Sequence, residues 1–75
     1  MNLNTFSHHL KEEVDAKIQH EPRLRGLPIE VFNHNGVFIL QGEVPSESIS
    51  MLVEDIVREV DGVISISNEL YIKAR

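Results

Sequence analysis

Apolar residues recur at helical spacing in the first quarter of the chain. They are separated by three or four positions, which places them on one face of a helix: Leu3, Phe6, Leu10, Val14 and Ile18. This pattern predicts a helix from about Thr5 to His20, which Asn4 or Thr5 can cap. Pro22 ends the helix, because proline disfavours helical geometry in the residue that precedes it.

A second helix is predicted after Pro45, with Ser46 as its N-cap and Glu47 near the positive end of the helix dipole. Asp61-Gly62 ends this helix, since glycine readily adopts the left-handed conformation that terminates helices. Its apolar face is broad and consists of Ile49, Leu52, Val53, Ile56, Val57 and Val60.

Between the helices the pattern changes to that of a β-hairpin. A short β-rich run, Ile29 to Phe32, precedes Asn35-Gly36, and the run Val37 to Gln41 follows it. Asn-Gly between two such runs predicts a two-residue turn, because both residues tolerate a positive φ. Four consecutive apolar residues in the second run indicate a central strand. Gly42 marks a bulge or a close backbone approach at the end of that strand.

A third strand is predicted from Val63 to Ile72, where apolar and polar residues alternate. The order αββαβ predicts an α+β domain, with a three-stranded mixed sheet and two helices packed on one face. The hairpin strands are antiparallel, and the second helix returns the chain so that the third strand runs parallel to the second. The expected core is Phe6, Leu10, Val14, Ile18, Ile29, Val31, Phe38, Leu40, Ile49, Leu52, Ile56, Val60, Ile66, Leu70 and Ile72.

The predicted turn also determines which hairpin residues oppose each other. Phe32 faces Ile39, and strand alternation places Phe32, Val37, Ile39 and Tyr71 on the face of the sheet that lies away from the core. Two interpretations stay open. Either the first helix or the connector covers these residues, or they form an exposed apolar patch of the kind that binds a partner, a membrane or a ligand.

The composition fits one small folded domain that spans residues 1–75. A chain of 75 residues has room for one core and a shallow surface site. Hydrophobic residues make up 41% and charged residues 25%, which is ordinary for a globular protein. The absence of cysteine excludes disulfides, cysteine-ligated zinc, iron–sulfur clusters and a thiol nucleophile.

The net charge of −5 lies entirely in residues 26–75, since acidic and basic residues balance in residues 1–25. Nucleic-acid binders normally carry a basic patch, so we predict no nucleic-acid partner. The cationic groupings are Arg23 with Arg25 in the connector and Lys73 with Arg75 at the end. They can contact lipid headgroups, although solubility alone also accounts for them.

No set of nucleophile, base and orienting residue is visible, so we predict that the protein is not an enzyme and carries no cofactor. One cluster has the spacing of metal ligands, and it consists of His8, His9, Glu12 and Glu13. His8 with Glu12, and His9 with Glu13, form two pairs at i, i+4 spacing. A durable site needs three or four ligands, and nothing brings a third ligand to either pair, so we predict no metal site.

The N-terminus lacks the basic and apolar regions of a secretory signal, and no window of 18 apolar residues occurs. We therefore expect a cytoplasmic protein, or a periplasmic or envelope protein if the chain is a fragment.

An ordered set of motifs resembles the BON domain (bacterial osmotic-stress and nodulation domain). The set comprises Ile29-x-Val31, then Asn35-Gly36-Val37-Phe38-x-Leu40-x-Gly42, then a helix, then Asp61-Gly62-Val63-x-x-Ile66-x-Asn68-x-Leu70-x-Ile72. The resemblance covers about residues 4–72. It implies a non-enzymatic adaptor module, often periplasmic, for which phospholipid binding is the role usually proposed. A cytoplasmic relative is associated with potassium binding.

Three kinds of function follow. The first is a binding module for a phospholipid surface or a protein partner, with Phe32, Val37, Ile39, Tyr71, Arg23 and Arg25 as candidate site residues. The second is a potassium-sensing module, which the resemblance alone suggests. The third is a homo-oligomer that associates through the apolar sheet face.

Overall fold

The computed structural model describes the backbone of residues 3–73 and the side chains of residues 9–73. Its helices and strands confirm the predicted order αββαβ and the α+β class. They are α1 (Leu3–Gln19), β1 (Ile29–His34), β2 (Val37–Val44), α2 (Glu47–Arg58) and β3 (Ser65–Ile72), with a 3₁₀ turn at Pro22–Leu24 between α1 and β1.

The three strands form one mixed sheet in the order β1-β2-β3. β1 and β2 are antiparallel, whereas β2 and β3 are parallel. Asn35 and Gly36 have φ values of 54° and 89°, so both central residues of the turn take the conformation predicted for Asn-Gly. The resulting register confirms the prediction, because Phe32 lies opposite Ile39 and Val31 lies opposite Leu40.

Gly42 marks a close backbone approach, as predicted, but β2 continues past it to Val44. Its φ is +132°, a conformation that L side chains rarely adopt. A Cβ at this position would overlap the carbonyl oxygen of Pro28, which belongs to the connector before β1. The glycine therefore lets the connector lie directly against the central strand.

Both helices pack on the face of the sheet that carries Val31, Phe38 and Leu40. From α1, Leu10 and Val14 are buried against this face, and from α2 the buried valines are Val53 and Val57. Ser46 caps α2 as predicted, since its hydroxyl oxygen accepts a hydrogen bond of 3.2 Å from the Ile49 N–H. The packing of two helices on one face is thus confirmed.

The core differs from the prediction in a few positions. Ile72 was expected inside but is 48% exposed, because it lies on an edge strand while Val44, its neighbour on the central strand, is buried. Four residues are buried although the expected core does not include them: Leu24, Val44, Val53 and Val57. Phe6 lies outside the residues whose side chains are described. The other expected core residues that are not fully buried are partly buried and pack against the core: Ile18, Ile29, Ile49, Leu52, Ile56, Ile66 and Leu70.

Candidate binding surface

The sheet face opposite the helices is the candidate binding surface, which we call the outer face. Strand alternation assigns it every second residue of each strand, starting from Glu30 in β1, Val37 in β2 and Ser65 in β3. Both helices lie on the other face, and none of these outer-face side chains is buried. Within residues 9–73, no helix covers this face, which favours the interpretation of an exposed surface.

Three predicted site residues come together at one end of the outer face and form what we call the apolar centre. Phe32 and Ile39 are direct cross-strand partners, and Val37 lies two residues before Ile39 on the same face. Phe32 is 44% exposed, while Val37 and Ile39 are half-buried by their neighbours within the sheet. The apolar centre is a contiguous patch that water contacts directly.

Tyr71, the fourth predicted member of the patch, lies apart from the apolar centre. Its partner across the strands is Glu43, and the polar pair of Gln41 and Glu69 stands between that row and Ile39. The Tyr71 hydroxyl donates a hydrogen bond of 3.2 Å to Glu43 Oε1. This hydrogen bond and the nearby negative charge raise the pKa of the Tyr71 phenol above its ordinary value.

The electrostatic character of the outer face is negative. Glu30, Glu43 and Glu69 lie on it, one from each strand, and within the strands it carries no lysine or arginine. Gln41 Nε2 donates to Glu69 Oε1 at 3.1 Å, which fixes one of these carboxylates beside the apolar centre. The sequence contains these acids, but only the strand register shows that they surround an apolar patch.

The two arginines of the predicted site do not join this surface. Arg23 belongs to the 3₁₀ turn, whose Leu24 is buried in the core beneath the helices, so the turn lies on the helix side of the sheet. Arg23 donates to Glu21 through Nε at 3.1 Å and through a terminal nitrogen at 3.0 Å. These hydrogen bonds lower the pKa of the Glu21 carboxyl and raise the pKa of the Arg23 guanidinium. Arg25, the C-cap of the turn, is exposed.

The helix layer offers a shallow groove of about 360 Å³ between α1 and α2. Four of its seven lining residues are charged, namely Glu13, Lys17, Glu21 and Glu59. No group of three or more His, Asp or Glu residues within residues 9–73 is arranged to hold a metal ion. The His8 side chain of the candidate metal cluster lies outside that range. In the described part of the chain, no helix has the length and apolar character needed to cross a membrane.

Asn68 is a structural residue that the pattern did not reveal. It lies on the helix side of β3, and its Nδ2 donates to Ser50 Oγ at 3.1 Å and to Glu54 Oε1 at 3.0 Å on α2. Its Oδ1 accepts the Leu70 N–H at 3.0 Å. The available signal was a polar residue inside an alternating apolar run, at a position where the alternation predicts burial.

Comparison with known sequences gives one family match. The sequence model described as BON domain matches residues 7–74, which is nearly the whole chain. The domains of that family are non-catalytic binding modules. The comparison with curated proteins gives no match.

Proposed function

Because the chain belongs to the BON domain family, a family of binding modules, we propose that it is a protein-docking module that binds its partner through the outer face of the sheet. The observation that carries this proposal is the apolar centre, where Phe32 and Ile39 pair across two strands on a sheet face that no helix covers within residues 9–73. Uncovered apolar patches with polar surroundings mark interaction surfaces more often than scattered apolar residues do.

The charge of the outer face favours a protein partner over an anionic lipid surface. Glu30, Glu43 and Glu69 would approach the headgroups together with the apolar centre, and like charges repel. The arginines that suit an anionic headgroup, Arg23 and Arg25, lie on the helix side, and Arg23 is already engaged by Glu21. A single orientation on a membrane therefore cannot bring both the apolar centre and these two arginines to the headgroups.

The same charges define the chemistry of the partner. A segment that fits this surface carries apolar side chains for the apolar centre and Lys or Arg residues that reach the surrounding carboxylates. Desolvation of Phe32 and Ile39 supplies the affinity, while the carboxylates supply orientation and a faster encounter. Added salt should weaken the binding without abolishing it, since screening acts on the charged contacts and leaves apolar burial in place.

A displayed library of random peptides tests this proposal with a defined probe. Selection on the wild-type chain should enrich peptides in which Lys or Arg flanks apolar residues. The Phe32→Asp variant should lose these peptides, because the substitution places a charge at the apolar centre. The matched control is Met51→Asp, which makes the same kind of change at an exposed apolar residue of α2 and should retain binding.

Lipid vesicles test the alternative function, which is binding to a phospholipid surface. We expect neither anionic phosphatidylglycerol vesicles nor neutral phosphatidylcholine vesicles to retain the wild-type chain. Retention on anionic vesicles that Arg23→Gln and Arg25→Gln abolish, while Phe32→Asp leaves it unchanged, would replace the proposal with lipid binding. Selected peptides that bind Phe32→Asp as well as wild type would also contradict it.

A further inference from the structure

A second surface of the molecule carries exposed apolar residues that the outer face does not include. Ile64, just before β3, and Ile72, at its end, are 75% and 48% exposed, and Met51 on the neighbouring helix α2 is 60% exposed. β3 is an edge strand of eight residues. A groove of about 340 Å³ lies between α2 and the start of β3, where Arg58, Ile64 and Ile66 contribute to its lining.

The backbone N–H and C=O groups of alternate residues in β3 point towards the free edge of the sheet. Lys73 and Ser65 donate their N–H groups towards β2, to the carbonyls of Val44 at 2.9 Å and of Gly36 at 3.4 Å. In a parallel pair this assigns the odd-numbered residues of β3 to bonds with β2 and the even-numbered residues from Ile66 onwards to the edge. Ile64, which precedes β3, donates its N–H to the Gly36 carbonyl at 2.9 Å, so only its side chain is available at the edge. One donor on that edge, the Leu70 N–H, is satisfied by Asn68 Oδ1.

The even-numbered residues form a palindrome around Asn68, namely Ile64-x-Ile66-x-Asn68-x-Leu70-x-Ile72. An antiparallel second copy centred on Asn68 places Ile66 opposite Leu70 on both sides of the twofold axis. It also brings Ile72 of each copy next to the exposed Ile64 side chain of the other, which precedes the paired strand. Shifting the register by two residues in one direction places Glu69 of one copy opposite Glu69 of the other. Shifting it by two residues in the other direction places Ile66 of one copy opposite Asn68 of the other. The centred register is therefore the self-complementary one.

The charges on α2 fit the same twofold axis. Asn68 contacts Ser50 and Glu54, so an axis through Asn68 passes beside this part of the helix. Two α2 helices related by that axis run antiparallel on the same side of the sheet, with Met51 near the axis. Glu47 of one copy then lies towards Arg58 of the other, because these residues stand at opposite ends of the helix. Arg58 now pairs with Asp55 and Glu54 on the exposed surface of its own helix.

We propose that a second copy of this chain pairs with β3 in this antiparallel register and extends the sheet to six strands. Pairing requires the Leu70 N–H to exchange its acceptor, from Asn68 Oδ1 to the Ile66 carbonyl of the second copy. The dimer buries Ile64, Ile72 and Met51 of both chains. Because the twofold axis is perpendicular to the sheet, both outer faces point the same way and stay open.

Sedimentation equilibrium of the full chain over a range of concentrations tests the proposal. The wild-type chain should dimerise, and Ile72→Lys should weaken dimerisation by about tenfold or more, because each dimer loses two buried isoleucine side chains. Ile72 is exposed in the monomer, so the circular dichroism spectrum should stay close to wild type, and so should thermal unfolding at concentrations where both proteins are monomeric. The matched control is Phe32→Lys, which changes an exposed apolar residue on β1 and should dimerise like wild type.

Charge reversal on α2 adds a second readout. Glu47→Arg alone and Arg58→Glu alone should each weaken self-association, and a mixture of the two variants should form heterodimers that recover part of the loss. A wild-type chain that stays monomeric at every concentration would overturn the proposal. Dimers that Phe32→Lys dissociates and Ile72→Lys does not would also overturn it, because association would then use the outer face.

Discussion

Asn68 shows how one polar residue is accommodated between a strand and a helix. Its three hydrogen bonds use both ends of the amide, with Ser50 and Glu54 on α2 as acceptors and the Leu70 N–H as donor. Although Asn68 is exposed, these hydrogen bonds connect the edge strand β3 to α2. The pattern of β3 signals that position 68 breaks the apolar alternation, but it cannot identify partners that lie 18 and 14 residues away in the sequence.

At Tyr71 we predict a phenol pKa above the ordinary value of 10.0, because the hydroxyl donates to the Glu43 carboxylate and ionisation would place two negative charges side by side. Tyr71 is the single tyrosine and tryptophan is absent, so an ultraviolet absorbance titration reports on it alone. Glu43→Gln should lower this pKa towards the ordinary value. The control Glu69→Gln, a carboxylate on the same face that is not bonded to Tyr71, should leave it near the wild-type value.

The sign of the linked stability follows from the protonated form of Tyr71. A group whose folded pKa is raised contributes stability below its unfolded pKa, and this contribution is lost as the pH rises through the folded value. The contribution of the Tyr71–Glu43 pair should therefore vanish in alkaline solution. A Tyr71 pKa that equals the ordinary value, or that Glu43→Gln does not change, would contradict the hydrogen bond.

Among the elements, β2 depends on a glycine that lets another segment approach it. We predict that Gly42→Ala destabilises the fold by more than about 2 kcal/mol, since a side chain at this positive φ alone costs about 1–3 kcal/mol and the Pro28 carbonyl must also move. Gly26→Ala is the matched control, because Gly26 also has a positive φ, of +81°, but its added Cβ meets nothing within 4 Å. Urea unfolding of both variants measures the difference in the free energy of unfolding. Equal losses would show that the contact with Pro28 carries no cost.

The elements themselves were largely predictable, because their signals are local. Asn35-Gly36 predicted the turn and thereby the register of the whole hairpin, and Ser46 predicted the start of α2. The centre of the α2 face was less predictable. Six apolar residues make that face broad, and the pattern does not show that Val53 and Val57 point deepest while Leu52 and Ile56 lie at its sides. Which residues lie deepest depends on how the helix rotates against the sheet.

For the whole molecule, the candidate site could be predicted only in part. Phe32, Val37 and Ile39 follow from alternation and the hairpin register, so the apolar centre was accessible from the sequence. The position of Tyr71 depends on the offset between β2 and β3, which are joined by a helix rather than a tight turn. The location of Arg23 and Arg25 on the helix side depends on the burial of Leu24 in the 3₁₀ turn. Both positions depend on contacts between residues that are far apart in the sequence, which the local pattern does not reveal.

The most direct test of the outer face as the docking surface is an amide-resolved NMR titration of the ¹⁵N-labelled chain. The probe is a selected peptide in which Lys or Arg flanks apolar residues. The proposal predicts that the largest shifts fall on residues 30–34 and 37–41, with smaller shifts on the neighbouring outer-face residues 67 and 69, and that they disappear with Phe32→Asp. Shifts concentrated on Arg23 and Arg25, or on the groove between α1 and α2, would contradict it.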